Sequence, residues 1–546
     1  MFGRKSLVFC TVLLLLAAVL SGQGSAASRF VSGTPLIPPV PPGTPSPKDP
    51  IITKASLSLL GDSSKTLPLR EEFFVTLFSG SGMRKVTADL YYPRDGVPAG
   101  SLNVYVETGV QVSQQVISTL VSEFEGTIRP VINQYFGTES DIDNNGQITL
   151  LITALDSSSI GGYFDSRNQY SSQWVANSNE REMIYINSLM LDFGIDGVLQ
   201  TLAHEFTHLV QWNYNWNYAA SNVWFTEGIA MYANYLVGKV TGKTNYWDFS
   251  TIDAYLAEYD TISLTDWQQR YGDYGAAYAF MIYLSEHYSP GHLKSLFQDP
   301  RSDRMEALRD YLAGYGIETE SLLADWAVAN AFDLSEGRYG YADLSLGLPM
   351  SRLPSLSGDM LTLPPWTVHY YRLSGSADGA AVRLVGQPGL AARLVAKQVD
   401  GRTTVQEFKK GADGELYCQS SSGGGGVELI LVAANTGERQ QVKVSLEMPT
   451  PGPEESLETA LLPDLLVPGR YTVLVKTDGG LDGPPVIEVS GIRGGRRLAV
   501  AQAWPDEGLY VAEAFDVGTV GTGPVLVTVT GKKGGKEVTA KQTFQL

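Results

Sequence analysis

Residues 198–213 read Val-Leu-Gln-Thr-Leu-Ala-His-Glu-Phe-Thr-His-Leu-Val-Gln-Trp-Asn. No Gly or Pro interrupts this stretch, and its apolar residues recur at helical spacing, which predicts an amphipathic helix. Positions i and i+4 of a helix lie one turn apart on the same face, so His204 and His208 can direct two imidazoles at one metal ion. Glu205 projects beside them, placed to accept a proton from water that the metal activates.

The alternative interpretation is a chance match on a core helix. The chain has only 5 His in 546 residues, which makes two of them at this spacing, with a Glu between, an improbable coincidence. The pattern therefore predicts a metal site, and a catalytic zinc site needs three protein ligands with one position left open.

The third ligand is predicted on a following helix. A His six residues after His208 is excluded as third ligand, because Tyr214 occupies that position. The segment Trp-Phe-Thr-Glu-Gly-Ile-Ala-Met-Tyr at 224–232 supplies Glu227, with eighteen residues between it and His208. An ordinary solvated acid is the alternative, but apolar neighbours make a carboxylate costly to bury unless it is paired or bound to metal.

These two segments resemble the zinc helices of the gluzincin metallopeptidases, and the Trp-x-x-Glu-Gly-x-Ala pattern is similar to the second zinc helix of aminopeptidase-N-like enzymes. The whole chain is more similar to the secreted bacterial hyicolysin-type metallopeptidases. The resemblance implies an α+β zincin (thermolysin-like) catalytic domain, followed here by all-β sandwich domains, with Zn²⁺ held by His204, His208 and Glu227. Met231 stands where thermolysin-like enzymes carry an Asp that orients a zinc His, so that partner is left unassigned.

The group that stabilises the oxyanion is expected on a later helix. Gluzincins often use a Tyr or His there, and residues 271–284 resemble the corresponding segment of aminopeptidase-N-like enzymes. Tyr274 aligns best, and Tyr271 and Tyr278 are its competitors. The chain has 28 Tyr, so an ordinary packing role is the alternative for each.

Residues 141–149, Asp-Ile-Asp-Asn-Asn-Gly-Gln-Ile-Thr, resemble the first half of a calcium loop. The expected Ca²⁺ ligands are Asp141, Asp143 and Asn145 by side chain and Gln147 by its backbone carbonyl. Ile152 stands where an EF-hand has its bidentate Glu, so a further ligand must come from elsewhere. A polar turn with Asn-Gly at its corner is the alternative.

The N-terminus is typical of a secretory signal, with Arg4 and Lys5 before the apolar run Leu7–Leu20 and small residues up to Ala27. The run is short for a membrane span, so a secreted, extracellular protein without a stable membrane anchor is expected. After cleavage Cys418 alone would remain, which forms no intramolecular disulfide. The formal charge of −18 argues against a nucleic-acid partner.

Composition divides the chain into several domains. Pro-rich segments indicate linkers, helical patterns dominate the middle, and short β-rich runs with Gly turns follow. The predicted organisation is a signal peptide at 1–27, a Pro-rich linker at 28–50, a zincin domain with an N-terminal β segment at 51–345, a β-sandwich domain at 346–448, a linker at 449–464 and an immunoglobulin-like or fibronectin-like domain at 465–546.

The expected function is a secreted zinc endopeptidase acting on proteins or peptides, and a monomer is expected. One alternative is a catalytically decayed zincin that acts as an extracellular binding or adhesion protein, which the β-rich tail suggests. The other is an aminopeptidase, although the Gly-x-Met-Glu-Asn segment of aminopeptidase-N-like enzymes is absent from the sequence. Cleavage preference and the fate of residues 28–70 as a pro-segment are left open.

Overall fold

A computed structural model of the chain describes residues 30–40, 44, 67–93, 100–214, 222–289, 291–335, 337–349, 351, 353–356, 359–373, 380–398, 402–411, 414–420, 427–447, 457–464, 466–477 and 480–546. The expected signal peptide lies outside these residues, as do residues 28–29, 41–43 and 45–50 of the first expected linker and residues 449–456 of the second. The chain divides into two compact units, Met1–Glu258 with Ile262–Gly316 and Tyr259–Thr261 with Ile317–Leu546.

The first unit is built on a seven-stranded sheet, whose order is β1-β6-β7-β5-β4-β3-β2. Its strands are β1 (Val31–Ser32), β2 (Arg70–Thr76), β3 (Met83–Tyr92), β4 (Leu102–Glu107), β5 (Ile148–Thr153), β6 (Ile160–Phe164) and β7 (Met183–Asn187). Strands β4, β5 and β7 run parallel, whereas β6 is antiparallel to β7. Every residue of β5, β6 and β7 is buried, which fits their mostly apolar sequences.

Helices cover this sheet and carry the candidate site. They are α1 (Gln114–Glu123), α2 (Arg129–Tyr135), α3 (Ile195–Tyr214), α4 (Val223–Thr241), α5 (Ser250–Ala257), α6 (Tyr271–Tyr288), α7 (Lys294–Phe297) and α8 (Arg304–Ala313). The sequence predicts one helix over 116–135, but a π-helical segment, Phe124–Ile128, joins α1 to α2. Pro130 lies in the first turn of α2, where its missing N–H breaks the regular α-helical hydrogen bonding.

A glycine sets the distance between two helices near the site. A Cβ on Gly275 of α6 would lie 1.8 Å from the carbonyl oxygen of Thr251 in α5, so no larger residue fits without moving backbone. This close approach holds the first half of α6 against α5. It thereby sets the position of the tyrosines on that half of the helix.

The second unit starts with one helix and continues with four sheets. Its helix α9 is Thr319–Phe332, and a short helix α10 is Val517–Val520. Its first strands are β8 (Met360–Leu363), β9 (Thr367–Leu373), β10 (Ala381–Val385), β11 (Leu390–Gln398), β12 (Thr403–Glu407), β13 (Lys409–Lys410), β14 (Leu416–Gln419), β15 (Val427–Asn435) and β16 (Gln440–Glu447). They form two sheets, in the orders β13-β14-β10-β16-β8 and β12-β11-β15-β9, which enclose one apolar core.

The remaining strands enclose a separate core. They are β17 (Leu457–Pro463), β18 (Arg470–Thr477), β19 (Val486–Gly491), β20 (Gly494–Leu498), β21 (Val500–Trp504), β22 (Leu509–Ala512), β23 (Phe515–Asp516), β24 (Pro524–Lys533) and β25 (Lys536–Gln545). Their two sheets have the orders β17-β18-β22-β21 and β20-β19-β24-β25, and β23 also pairs with β18.

Helix α9 is fastened to the first sandwich by a buried ion pair. Asp325 of α9 accepts a hydrogen bond of 2.6 Å from Arg393 Nε in β11, and the side chains of both residues are at least 95% buried. Within its own unit, α9 therefore belongs with the strands that follow it.

The described residues form an α+β protein with a β-rich C-terminal part, in agreement with the coarse expectation from sequence. The zincin fold and the six domain boundaries stay predictions. Within the described part of the chain, no helix combines the length and apolarity that crossing a membrane requires.

Candidate active site

Helix α3 presents His204, Glu205 and His208 on a buried face, as the i, i+4 spacing predicts. Glu205 and His208 are completely buried, and His204 is 6% exposed. Asp196 lies in the first turn of the helix, where a carboxylate interacts favourably with the helix dipole. The helix thus places three ionisable side chains in the protein interior.

Helix α4 brings Glu227 against the two histidines. Glu227 Oε2 lies 3.1 Å from His204 Nε2, and Glu227 Oε1 lies 3.1 Å from His208 Nε2. The two Nε2 atoms are 3.2 Å apart. Ligand atoms held at about 2.0–2.1 Å by a tetrahedral zinc ion are separated by roughly 3.3 Å, so the three side chains fit a common metal.

The charges of this triad favour a cation at its centre. Burial by itself would lower the pKa of His208 and raise that of Glu227. Their mutual attraction outweighs burial, raising the pKa of His208 to about 9 and lowering that of Glu227 to about 2. A proton shared between the histidines and Glu227 provides positive charge at this point. A divalent cation between the three ligand atoms would provide it as well.

The sequence left the partner of the zinc histidines unassigned, and the structure identifies one for His208. Gln211 Oε1 lies 2.9 Å from His208 Nδ1, while Gln211 Nε2 donates to the carbonyl oxygen of Thr226 at 3.2 Å. A carbonyl oxygen only accepts, which fixes the orientation of the amide, and the Gln oxygen then requires a proton on Nδ1. In the neutral ring, which a metal ligand requires, Nε2 then carries the lone pair.

Glu205 faces the cleft beside the histidines. Its Oε2 accepts a hydrogen bond of 2.7 Å from the hydroxyl of Thr34, whereas its Oε1 is buried without a hydrogen-bond partner among the described residues. Glu227 Oε1 is also buried, and it has the ion-pair contact with His208 Nε2 at 3.1 Å but no hydrogen bond of good geometry within the described structure. Buried carboxylate oxygens without donors are costly, and a bound cation and a water molecule would satisfy them.

The three candidate tyrosines of α6 all line the same cleft, but they differ in their contacts. The hydroxyl of Tyr274 donates to the backbone carbonyl of Ser32 at 3.2 Å. Tyr271 is 2.7 Å from the hydroxyl of Ser250. Burial, together with Glu227 and Glu205, holds the pKa of Tyr274 well above its ordinary value, so this hydroxyl keeps its proton.

An N-terminal segment lies in the cleft, within the expected Pro-rich linker. Strand β1 pairs in parallel with β6, aligning Val31 with Ile160 and Ser32 with Gly162. From the sequence, residues 161–164 and 183–187 are both predicted as strands that could bind an extended substrate backbone by strand addition. Of these, β6 is paired with β7 on one side and with β1 on the other.

The predicted calcium loop brings two of its four named ligands into an acidic cluster. One carboxylate oxygen from each of Asp141, Asp143 and Glu182 lies within 4.8 Å of the others. Asn145 Nδ2 donates to Asp143 Oδ2 at 2.7 Å, and the side chain of Gln147 donates to the carbonyl oxygen of Gly100 at 3.2 Å. Sequence spacing missed Glu182, because it lies some forty residues further along the chain.

Comparison with known proteins supports a metallopeptidase relationship. No family model matches the chain. The neutral metalloprotease ShpI of Staphylococcus hyicus is 30% identical over 233 residues, which cover 38% of this chain and 50% of that protein. The chain therefore matches about half the length of this relative, whose name implies a metal-dependent hydrolase of peptide bonds.

Two solved structures show only weak likeness. A DUF4785 family protein from Legionella pneumophila is 9% identical with a TM-score of 0.13, covering 36% of this chain and 69% of that one. A β-galactosidase-like protein from Bacteroides fragilis is 11% identical with a TM-score of 0.11, covering 37% of this chain and 36% of that one. Both scores are too low to indicate a shared fold.

Proposed function

We propose that this chain is a secreted zinc-dependent endopeptidase of the gluzincin type. The observation that carries the proposal is the triad of His204, His208 and Glu227, whose ligand atoms lie 3.1–3.2 Å apart with Glu205 on the same helix face. The metalloprotease relative, 30% identical over 233 residues, supports the same chemistry.

A zinc ion held by the triad would act as a Lewis acid, polarising the scissile carbonyl and making water a better nucleophile. Glu205 is the general base. Its carboxylate takes the proton of the attacking water and returns it to the leaving amine. Because Glu205 is buried, bulk water does not compete for this proton transfer. The role fits Glu205 because it is the one acid of α3 that faces the cleft next to both histidines.

Tyr274 is the proposed donor to the carbonyl oxygen of the substrate as negative charge develops there. Its hydroxyl already donates to a peptide carbonyl in the cleft, that of Ser32, so its position suits a peptide group. Tyr271 suits the role less well, since its hydroxyl contacts Ser250. A donor fixed before the reaction stabilises charge without reorganising.

The substitution Glu205→Gln tests the proposal. It should lower casein hydrolysis by roughly 10²–10⁴-fold, the usual contribution of a general base, while leaving about one zinc per chain. Glu306→Gln, an exposed acid of α8, is the matched control and should leave activity unchanged. Persistent hydrolysis by Glu205→Gln at unchanged zinc content would contradict the mechanism. Less than about half a zinc per purified wild-type chain would favour a decayed zincin instead.

A further inference from the structure

The predicted calcium loop and Glu182 lie at the same end of the sheet. Residues 141–147 lead directly into β5, and Glu182 immediately precedes β7. These strands are parallel neighbours, with Thr149 aligned to Met183, and Thr149 N donates to the carbonyl oxygen of Glu182 at 2.8 Å. Because the amino ends of parallel strands meet at one edge, the topology joins two distant stretches of sequence.

Glu182 is a buried carboxylate that is only half satisfied. It is 1% exposed, and its Oε1 accepts a hydrogen bond of 2.8 Å from the backbone N–H of Ile142. Its Oε2 is buried without a hydrogen-bond partner in the part of the chain that the structure describes. An ionised oxygen in this state is costly, and the cost falls if a cation lies against it.

The two loop carboxylates lie where such a cation would bind. Asp141 and Asp143 each offer one oxygen within 4.8 Å of Glu182, so three acidic groups converge on one point. Arg181, next to Glu182 in the chain, donates to both carboxylate oxygens of Glu71, and its charge also acts on Asp143. One guanidinium shared with Glu71 does not neutralise three carboxylates, so an added positive ion would relieve the remaining repulsion.

We propose that Asp141, Asp143 and Glu182 form a second metal site, separate from the zinc triad, that binds Ca²⁺. Three carboxylates are hard oxygen ligands, and Ca²⁺ accepts six to eight such oxygens in flexible geometry. Asp141 is exposed, so water completes the coordination from the solvent side. The ion ties the loop to the start of β7, and its role is structural, independent of any peptidase activity.

Calcium titration of the zinc-loaded, full-length protein tests this site. Isothermal titration after removal of free calcium should show one Ca²⁺ bound per chain, and thermal unfolding should shift upward by several degrees at Ca²⁺ about a hundredfold above Kd. Glu182→Gln should weaken Ca²⁺ binding at least tenfold, because it removes the buried charge while preserving shape. Asp143→Asn provides a second variant for the same measurement.

Asp192→Asn is the matched control, since it neutralises an exposed acid outside the cluster and should leave Kd unchanged. The site would be refuted if the wild-type protein bound no Ca²⁺, or if Glu182→Gln and Asp143→Asn bound it as tightly as wild type. Loss of Ca²⁺ binding in both cluster variants with unchanged zinc content would support it.

A second, independent observation concerns residues 30–37, of which Phe30, Val31 and Ser32 line the active-site cleft. Val31 N donates to the carbonyl oxygen of Ser159 at 2.9 Å, and Gly33 N donates to that of Gly162 at 2.8 Å. Phe30 packs edge-on against Phe193, with ring centroids 5.1 Å apart. The segment is therefore held to β6 by backbone hydrogen bonds and by an aromatic contact.

The same segment engages both proposed reacting groups. Thr34 Oγ1 donates to Glu205 Oε2 at 2.7 Å and accepts from Phe164 N at 2.9 Å. The carbonyl oxygen of Ser32 accepts from the hydroxyl of Tyr274 at 3.2 Å. A substrate would need to pair with the edge of β6 and to contact Glu205 and Tyr274. Residues 31–34 already engage all three.

We infer that residues 30–37 hold the enzyme latent, an inference that rests on the proposed peptidase function. Displacing the segment would free the edge of β6, release Glu205 to act on water and expose Tyr274 to a substrate carbonyl. A built-in strand has a high effective concentration at the cleft and so competes well against free peptides.

Two substitutions in the full-length chain test latency. Thr34→Val removes the donor to Glu205 with little change of shape. Gly33→Val loosens the whole segment, because a Cβ on Gly33 would lie within 3.0 Å of Phe78 and Ile160. Each should raise casein hydrolysis at least about tenfold over wild type, and adding Glu205→Gln to Gly33→Val should abolish the gain.

Thr34→Ser keeps the hydroxyl and is the matched control, which should stay as slow as wild type. Equal, substantial hydrolysis by wild type, Thr34→Val and Gly33→Val would overturn latency and leave the peptidase proposal standing. No hydrolysis by any of these proteins would overturn the proposed function, and latency with it.

Discussion

Gln211 holds the imidazole of His208 by a hydrogen bond of 2.9 Å between its Oε1 and His208 Nδ1, three residues along the same helix. Its other amide atom is anchored on the Thr226 carbonyl, one residue before Glu227. One side chain thus joins both helices of the triad and sets which nitrogen of His208 carries the proton. Met231 stands where thermolysin-like enzymes have an orienting Asp, and for His208 the amide of Gln211 supplies an orienting group instead.

We expect Gln211→Leu to weaken zinc binding by about 10–100-fold, the usual effect of losing a group that orients a metal-binding His. The measurement is zinc affinity by competition with a chromogenic chelator. Gln211→Glu retains an acceptor for Nδ1–H and should bind zinc more tightly than Gln211→Leu. Equal affinity of Gln211→Leu and wild type would contradict the role assigned to Gln211.

Tyr274→Phe should lower kcat by about 10²–10³-fold, as removal of one oxyanion donor does, while zinc content stays the same. The ring is retained, so the edge-on packing against Trp267 at 4.7 Å should persist. Tyr271→Phe is the matched control on the same helix and should change kcat only a few-fold. Both are best measured in the Gly33→Val background. A larger loss from Tyr271→Phe than from Tyr274→Phe would reverse the assignment.

Gly275→Ala should destabilise the first unit by about 3 kcal/mol, because the added methyl meets the Thr251 carbonyl at 1.8 Å and backbone must move. Thermal unfolding of the full chain provides the measurement. Gly126→Ala is the control, since a Cβ there meets no atom within 4 Å, and it should be neutral or slightly stabilising. Unchanged unfolding of Gly275→Ala would show that α5 and α6 can separate at little cost.

Glu107 should make the stability of the first unit depend on pH. Burial alone would raise the pKa of this carboxyl, but hydrogen bonds from Arg84 at 2.7 and 2.9 Å, from Thr153 and from Ala154 N hold it below its ordinary value of 4.5. A lowered folded-state pKa contributes stability above pH 4.5 that is lost as the pH falls through the folded value.

Glu107→Gln should therefore melt at a lower temperature than wild type at pH 7, and the gap should narrow below pH 4.5. The difference between the two proteins isolates Glu107, because their other titrating groups are shared. Glu72→Gln, which removes an exposed partner of Lys85, should change the melting temperature little at any pH. A gap that stays constant down to pH 3 would refute the linkage.

The sequence by itself determined the secondary structure of individual segments and the side chains that share a helix face. The periodicity of residues 198–213 was enough to predict helix α3, since apolar spacing and helix geometry are properties of a single segment. The same reasoning placed His204 and His208 on one face and proposed Glu227 from its apolar neighbours. The short β-rich runs with Gly turns likewise predicted the strands of the second unit.

Only the tertiary structure decided which residues that are distant in sequence come into contact. The sequence did not single out Gln211 as the partner of His208, and it gave no signal for Glu182, whose partners lie about forty residues earlier. Residues 30–37 read as a Pro-rich linker, yet they pair with β6 and donate to Glu205 through Thr34. Such contacts depend on which strand edges and buried carboxylates lack hydrogen-bond partners in the folded chain. Those groups are defined only once the sheet and helices have assembled.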